Sequence, residues 1–119
     1  VRVTRAHNVT IWALVAHPTR PFVATGSEEQ SVKFWSTETL DCLRTLQGYD
    51  NGVLSLALSP DGQTLAVGTQ DQAVYFWGLN TSTCTKVLRD RTNCTWRVDW
   101  HPQKQKLAIG GVDGSFHIW

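Results

Sequence analysis

The sequence predicts an all-β fold in which short four-stranded antiparallel sheets repeat along the chain. The first observation is a period of 42 residues, which relates Trp35, Trp77 and Trp119 without a gap. The second is a strand-like alternation of apolar residues within the period, as at Leu54 and Leu56. No helical period of useful length is found. Together these observations indicate an all-β repeat protein.

Five columns of the repeat carry one residue type, or one charge, in every copy. They are Pro18, Pro60 and Pro102; Ala24, Ala66 and Ala108; Gly26, Gly68 and Gly110; Trp35, Trp77 and Trp119; and the acidic Glu29, Asp71 and Asp113. Unrelated sequence does not give four identical columns in one register, so the repeat is real. We expect these residues to have structural roles that recur once per repeat.

The second period shows each element of the repeat in order. A first strand, marked by Leu54 and Leu56, ends at residues 59–62, a Ser-Pro-Asp-Gly sequence with proline at the second turn position. Residues 64–68 and 73–77 are rich in β-branched and aromatic side chains and predict the second and third strands. Residues 84–88 predict a fourth. Each period is therefore predicted to form an antiparallel meander.

Composition excludes several classes of function. The chain has 119 residues and a formal net charge of +1, which leaves no excess of basic side chains to follow a nucleic-acid backbone or an anionic membrane. No apolar stretch approaches the roughly 20 residues that span a bilayer. The three cysteines, Cys42, Cys84 and Cys94, form no paired motif, which favours a cytoplasmic protein.

Catalytic and metal-binding motifs are absent from the sequence. The four histidines have no metal-like spacing, and His17 and His101 share one column with Ser59, directly before proline, where they predict caps of a turn. The acidic column is better explained by turn carboxylates that accept backbone N–H groups than by a catalytic set. We therefore expect no enzyme activity, no cofactor and no bound metal.

The residues of the second period resemble the WD40 repeat. The resemblance is carried by residues 53–62, 65–71 and 74–77, and it extends to the other two copies and so to nearly the whole chain. It implies blades of a β-propeller, each a four-stranded antiparallel meander, and about three blades in this chain. Since propellers need about four to eight blades, the resemblance also implies a segment of a larger ring.

The phase of the chain against the WD40 pattern implies a division into repeats. Residues 1–5 align with the outermost strand of a preceding blade, residues 6–48 and 49–90 form two repeats, and residues 91–119 form a third that lacks its outer strand. The ring can close in two ways. Either the chain belongs to a longer propeller, or two copies assemble head-to-tail into six blades through exchanged outer strands.

The chain departs from the hydrogen-bond network that the family carries in each blade, which joins a histidine, a Ser/Thr, a turn Asp and a Trp. The first repeat has His7, Thr25 and Trp35, but Glu29 stands in place of Asp. The other repeats keep the acid and the tryptophan, while Val67 and Ile109 replace the hydroxyl and Tyr49 and Arg91 the histidine. No repeat is therefore expected to have the complete network.

The resemblance implies a function in holding protein or peptide partners, with a self-assembling structural protein as the alternative. Trp12 and Trp96 share one column at the start of the first strand, where they either join the core or surround the mouth of the central channel. In WD40-like proteins the surrounding loops carry partner contacts. By position these are Tyr49, Asp50 and Asn93 before the first strand, and Glu28, Gln70 and Val112 in the turns between the second and third strands.

Overall fold

The computed structural model describes residues 3–47, 52–70, 73–89, 95–111 and 114–119, with the side chains of residues 95 and 96 left out. This part of the chain forms three antiparallel sheets, which we call blades 1, 2 and 3. Blade 1 contains β1 (Ile11–Ala16), β2 (Phe22–Ser27), β3 (Val32–Ser36) and β4 (Cys42–Leu46). Blade 2 contains β5 (Val53–Leu58), β6 (Thr64–Thr69), β7 (Val74–Gly78) and β8 (Thr83–Leu88). Blade 3 contains β9 (Thr95–Trp100), β10 (Leu107–Gly111) and β11 (Phe116–Ile118).

The repeat predicted from the sequence is present in the strand register as well as in the strand order. Trp35 pairs with Val23 and with Cys42, and 42 residues later Trp77 pairs with Leu65 and with Cys84. The irregularity in the third strand falls at the same place in both blades, directly before the tryptophan. The all-β prediction and the meander within each period are therefore confirmed.

The turn after each first strand is capped as predicted. In blade 2 the Ser59 hydroxyl donates to the Asp61 carboxylate and accepts the Thr64 amide at 3.1 Å. In blade 1 the same column holds His17, whose Nδ1 accepts the Thr19 amide at 3.1 Å, and in blade 3 His101 Nδ1 accepts the Gln103 amide at 3.1 Å. Three chemically different side chains thus perform one local role.

His17 also joins the first two blades. Its Nε2 lies 3.1 Å from the carbonyl oxygen of Gly62, and Nδ1 accepts two amides, so Nε2 carries the proton and donates it. Gly62 has a φ of 71° at this turn, and a Cβ atom there would stand 2.5 Å from His17 Nε2. Glycine is needed at this position both by its left-handed backbone and by the neighbouring ring.

The core consists of the two interfaces between blades. Between blades 1 and 2 the buried apolar side chains are Ala24, Val32, Phe34, Leu46, Val53, Leu56, Leu65, Val67, Ala73, Tyr75 and Leu79. Between blades 2 and 3 they are Ala57, Ala66, Val74, Phe76, Val98, Leu107 and Ile109. Within the described residues blade 2 is covered on both faces, whereas blades 1 and 3 are each covered on one.

Residues 3–10 form no strand, although residues 1–5 were expected to be the outer strand of a neighbouring blade. A strand needs a partner edge, and within the described residues no strand pairs with this segment. The segment instead lies on blade 1, where the Lys33 ammonium donates to the Ala6 carbonyl at 3.1 Å. The assignment of residues 1–5 to an outer strand remains a proposal that requires a further blade.

Candidate interaction surface

Three of the predicted partner-binding side chains lie at the same end of the strands in blades 1 and 2. Trp12 is in β1, near its start, Glu28 follows β2 and Gln70 follows β6, and all three are exposed. The remaining predicted contacts fall outside the description: Tyr49, Asp50, Asn93 and Val112 are not among the described residues, and Trp96 has a described backbone in β9 but no described side chain.

Gly52, which directly precedes β5, lies between Gln70 of its own blade and Glu28 of blade 1. Gly52 donates its amide to Gln70 Oε1 at 3.3 Å, and its carbonyl accepts the Gln70 amide at 3.1 Å. A Cβ atom on Gly52 would stand 3.3 Å from the Cα atom of Glu28. The Glu28 turn of blade 1 and the Gly52–Gln70 pair of blade 2 are therefore close neighbours, and glycine at position 52 allows this close approach.

Trp12 faces the region where the first strands of the three blades converge. Its indole is 47% exposed and lines a cavity of about 180 Å³ with Leu54 and Arg97, which come from blades 2 and 3. Ala13 and Val15 point the opposite way and pack on the core between blades 1 and 2. Trp12 is partly exposed in a blade whose outer face is uncovered within the described residues, so its role, in the core beneath a further blade or at the mouth of the channel, stays a prediction.

Blade 1 contains a complete four-residue hydrogen-bond network, which the sequence was not expected to supply. His7 Nδ1 donates to the Glu29 carboxylate, and His7 Nε2 lies 2.7 Å from the Thr25 hydroxyl. The Trp35 indole N–H donates to the same hydroxyl at 3.1 Å. The expectation that no repeat would have this network is wrong, because the longer Glu29 side chain reaches the position that the family fills with Asp.

Glu29 also fixes the segment that precedes blade 1. Its carboxylate accepts the Asn8 amide at 3.3 Å and the Ser31 hydroxyl at 3.4 Å, and the Lys33 ammonium lies 3.9 Å away. Hydrogen bonding from His7 lowers the pKa of Glu29 below its ordinary value of 4.5. Burial raises this pKa by a smaller amount, whereas the Asn8 amide and the positive charges of His7 and Lys33 lower it further. One carboxylate thus connects a turn, a strand and the preceding segment.

The pKa shift of Glu29 predicts acid sensitivity. Because its folded-state pKa lies below the unfolded value, the stabilisation is fully present above pH 4.5 and is lost as the pH falls through the lowered folded pKa. We expect the Tm to fall between about pH 5 and pH 3 more steeply in the wild type than in Glu29→Gln, measured by circular dichroism. Hydrogen bonding from Ser59 also lowers the pKa of Asp61. The Glu29→Gln variant therefore keeps part of the dependence of Tm on pH. Equal slopes in both proteins would contradict the role of Glu29.

The column that holds Thr25 is apolar in the other blades. Val67 and Ile109 occupy it and are as fully buried as Thr25. Asp71 and Asp113, which the sequence analysis placed in the tight turns of these repeats, lie outside the described residues. The described part therefore shows the hydroxyl-centred network in blade 1 and apolar packing at the equivalent position of blades 2 and 3.

The outer faces of blades 1 and 3 expose columns that are buried elsewhere in the chain. Val74 and Phe76 are 0% and 5% exposed, whereas Phe116 and Ile118, 42 residues later, are 72% and 60% exposed. On the outer face of blade 1 Leu14 is exposed, whereas Leu56, in the same column of blade 2, is buried. These residues are exposed because no blade stands against them within the described residues, not because their types differ.

Among the described residues no group of three His, Cys, Asp or Glu side chains converges as metal ligands would, and Cys42 and Cys84 are exposed and free of disulfides. The same part of the chain contains no helix of the length and hydropathy needed to cross a membrane.

Comparison with known proteins gives one family and a consistent fold. The family model described as "WD domain, G-beta repeat" matches residues 1–36, 40–78 and 82–119. The crystal structure of RRP9 WD40 repeats superposes with a TM-score of 0.94 at 23% identity, covering 99% of this chain and 37% of that one. The structure of U3-55K gives a TM-score of 0.93 at 22% identity, covering 99% and 38%.

Two curated relatives match shorter stretches. A "Probable cytosolic Fe-S cluster assembly factor" of Schizosaccharomyces japonicus (strain yFS275 / FY16936) is 38% identical over 48 residues, which is 40% of this chain and 8% of that protein. "Nuclear distribution protein PAC1" of Mycosarcoma maydis is 47% identical over 38 residues, 32% of this chain and 8% of that protein. The chain thus spans a small part of these relatives and matches part of larger propellers.

Proposed function

The chain belongs to the WD40 repeat family, and we propose that it is part of a β-propeller scaffold that binds protein or peptide partners. The observation that carries the proposal is the surface at one end of the blades, where the half-exposed Trp12 and the exposed polar residues Glu28 and Gln70 lie at the same end of their strands. Exposed aromatic side chains next to hydrogen-bonding groups are typical anchors of binding surfaces. Tyr49, Asp50, Asn93, Trp96 and Val112 are proposed as further contacts of this surface.

The proposal includes what the protein does not do. The family is generally non-catalytic, and we infer that this chain is not an enzyme and uses no cofactor. Its net charge of +1 supports protein partners over nucleic acid or membrane. A cytoplasmic location is proposed as well, with support from the relative of Schizosaccharomyces japonicus that is described as cytosolic.

The proposed repeat boundaries are residues 6–48, 49–90 and 91–119, with residues 1–5 as an outer strand for a neighbouring blade. The exposed apolar faces of blades 1 and 3 support a ring that continues beyond these three blades. A longer propeller supplies the missing blades in the main proposal. The alternative function, ring closure between two copies, is supported by the same two faces, since Phe116 and Ile118 of one copy would meet Leu14 of the other.

A cross-linking experiment tests the scaffold function. A photoreactive amino acid at Glu28 in the intact protein is expected to cross-link to a discrete partner in cells, and Trp12→Ala is expected to weaken that partner's binding about tenfold or more without changing the Tm. Lys104→Ala, in an exposed hairpin, is the matched control. Global unfolding of Trp12→Ala would instead support a core role, and equal binding by all variants would overturn the proposed surface. Cross-links only between copies would favour self-assembly.

A further inference from the structure

A small groove with a basic edge lies between blades 1 and 2, at the strand ends opposite to Glu28 and Gln70. It has a volume of about 100 Å³, and its lining residues are Arg20, Phe22, Phe34, Leu43, Arg44 and Leu79. We propose that this groove, which we call the rim groove, binds a partner segment in which an acidic side chain is next to a leucine-like side chain. The proposal rests on the scaffold function and adds a second binding surface to it.

The floor of the rim groove is apolar and rigid. Phe22 and Phe34 contact each other edge to face with their ring centroids 5.6 Å apart, and Phe34 is part of the core between blades 1 and 2. Leu43 is more than half exposed beside them. Since small-molecule sites have volumes of roughly 300–1,000 Å³, a groove of this size suits one anchoring side chain of a peptide.

The two arginines of the rim groove have no carboxylate nearby, and the side chain of Arg44 is held in place. Arg44 donates from Nη1 to the Leu79 carbonyl at 3.3 Å, and its guanidinium carbon stands 5.6 Å from the Phe34 ring centroid. The Arg20 backbone is fixed by donation of its amide to His17 Nδ1 at 2.9 Å. Among the described residues, neither guanidinium has a carboxylate oxygen within 4.0 Å. Guanidinium groups bind carboxylates with two parallel hydrogen bonds, so an acidic side chain is the complementary partner.

Most of the residues that line the rim groove in blade 1 are not repeated at the equivalent positions of blade 2. In the next period the positions of Arg20, Phe22 and Leu43 are taken by Gly62, Thr64 and Thr85. The Arg44 position is taken by Lys86, whose ammonium lies 3.8 Å above the Trp119 ring and so contacts an aromatic face instead of a groove. The rim groove therefore has a chemical character that the fold alone does not demand.

The test uses the intact protein and a six-residue probe of sequence Ser-Glu-Leu-Asp-Leu-Ser, blocked at both ends. We expect NMR titration to shift signals of Leu43 and Leu79 and to leave the Trp12 indole unchanged. Two matched probes separate the parts of the recognition, one with amides in place of both acids and one with alanine in place of both leucines. Each is expected to bind about tenfold more weakly or worse. A third probe has amides in place of both acids and a free C-terminal carboxylate. It tests whether a chain terminus can replace the acidic side chain, and we expect it to bind weakly.

Variants of the protein complete the test. Arg20→Ala and Arg44→Ala are each expected to weaken binding about tenfold. Leu43→Ser removes an exposed apolar contact and is expected to weaken it without unfolding. Lys104→Ala, in the column of Arg20 but on blade 3, is the charge-matched control and is expected to bind normally. Equal affinity for the acid and amide probes, or shifts confined to the Trp12 surface, would overturn the rim groove. The second of these outcomes would leave the scaffold function intact.

Discussion

Gly26→Ala is expected to lower the free energy of unfolding by about 2–3 kcal/mol, since overpacking of a close-packed core has costs of this order. A Cβ atom at Gly26 would stand 2.5 Å from Cγ1 of Val53 and 3.4 Å from Cδ1 of Leu56, both in the first strand of blade 2. Val53 is fully buried and its β-branched side chain has little freedom to move aside. The blades would have to separate, and chemical denaturation with a fluorescence readout would measure the loss.

Gly110→Ala is the matched control, because Gly110 occupies the same column in blade 3. A Cβ atom there would meet only the Arg97 carbonyl oxygen, at 3.9 Å, which is ordinary contact. Within the described part of the chain the substitution is therefore expected to change stability by less than about 0.5 kcal/mol. If Gly26→Ala is as harmless as Gly110→Ala, the close packing between blades 1 and 2 is wrong.

The same pair of variants reports on how the ring is completed. When a further blade, from the same protein or from a second copy, covers the outer face of blade 3, Gly110 enters an interface like that of Gly26. Gly110→Ala is then expected to become as costly as Gly26→Ala. A cost that appears only at high protein concentration would favour closure between copies, whereas a constant cost in the intact protein would favour a longer propeller.

The fold was predictable because its determinants are local and repeat. Proline at position 60 and glycine at position 62 determine a turn. Each tryptophan of the 42-residue column marks the third strand of its repeat. The roles of His17 and His101 as turn caps follow from their shared column with Ser59. None of these inferences requires knowledge of the distances between strands or blades in the folded protein.

The parts that the sequence did not predict depend on distances between elements. Glu29 completes the blade 1 network because its side chain is long enough to reach His7, a residue 22 positions away. The rim groove requires Arg44 to contact Leu79, which directly follows β7 and lies 35 positions later in the sequence. Residue type and period contain no information about these separations.

His7→Ala is expected to lower the free energy of unfolding by about 3 kcal/mol, since it removes a buried side chain and leaves hydrogen-bonding partners unsatisfied. His7 is buried, and its two ring nitrogens contact the Thr25 hydroxyl and the Glu29 carboxylate. Without it the preceding segment loses its main attachment to blade 1. We therefore expect faster hydrogen exchange at the Asn8 amide, with exchange in the blade 2 strands little changed.

A double-mutant cycle separates the network from simple loss of packing. If His7 and Glu29 act as a pair, His7→Ala and Glu29→Ala together should cost about 1–2 kcal/mol less than the sum of the single effects. Thr25→Val gives blade 1 the apolar residue type that blade 2 has at Val67, and is expected to cost about 1–3 kcal/mol because the Trp35 indole N–H loses its acceptor. His117→Ala, at an exposed histidine, should be nearly neutral. Strictly additive effects of His7→Ala and Glu29→Ala would show that the glutamate does not take the place of the family's aspartate.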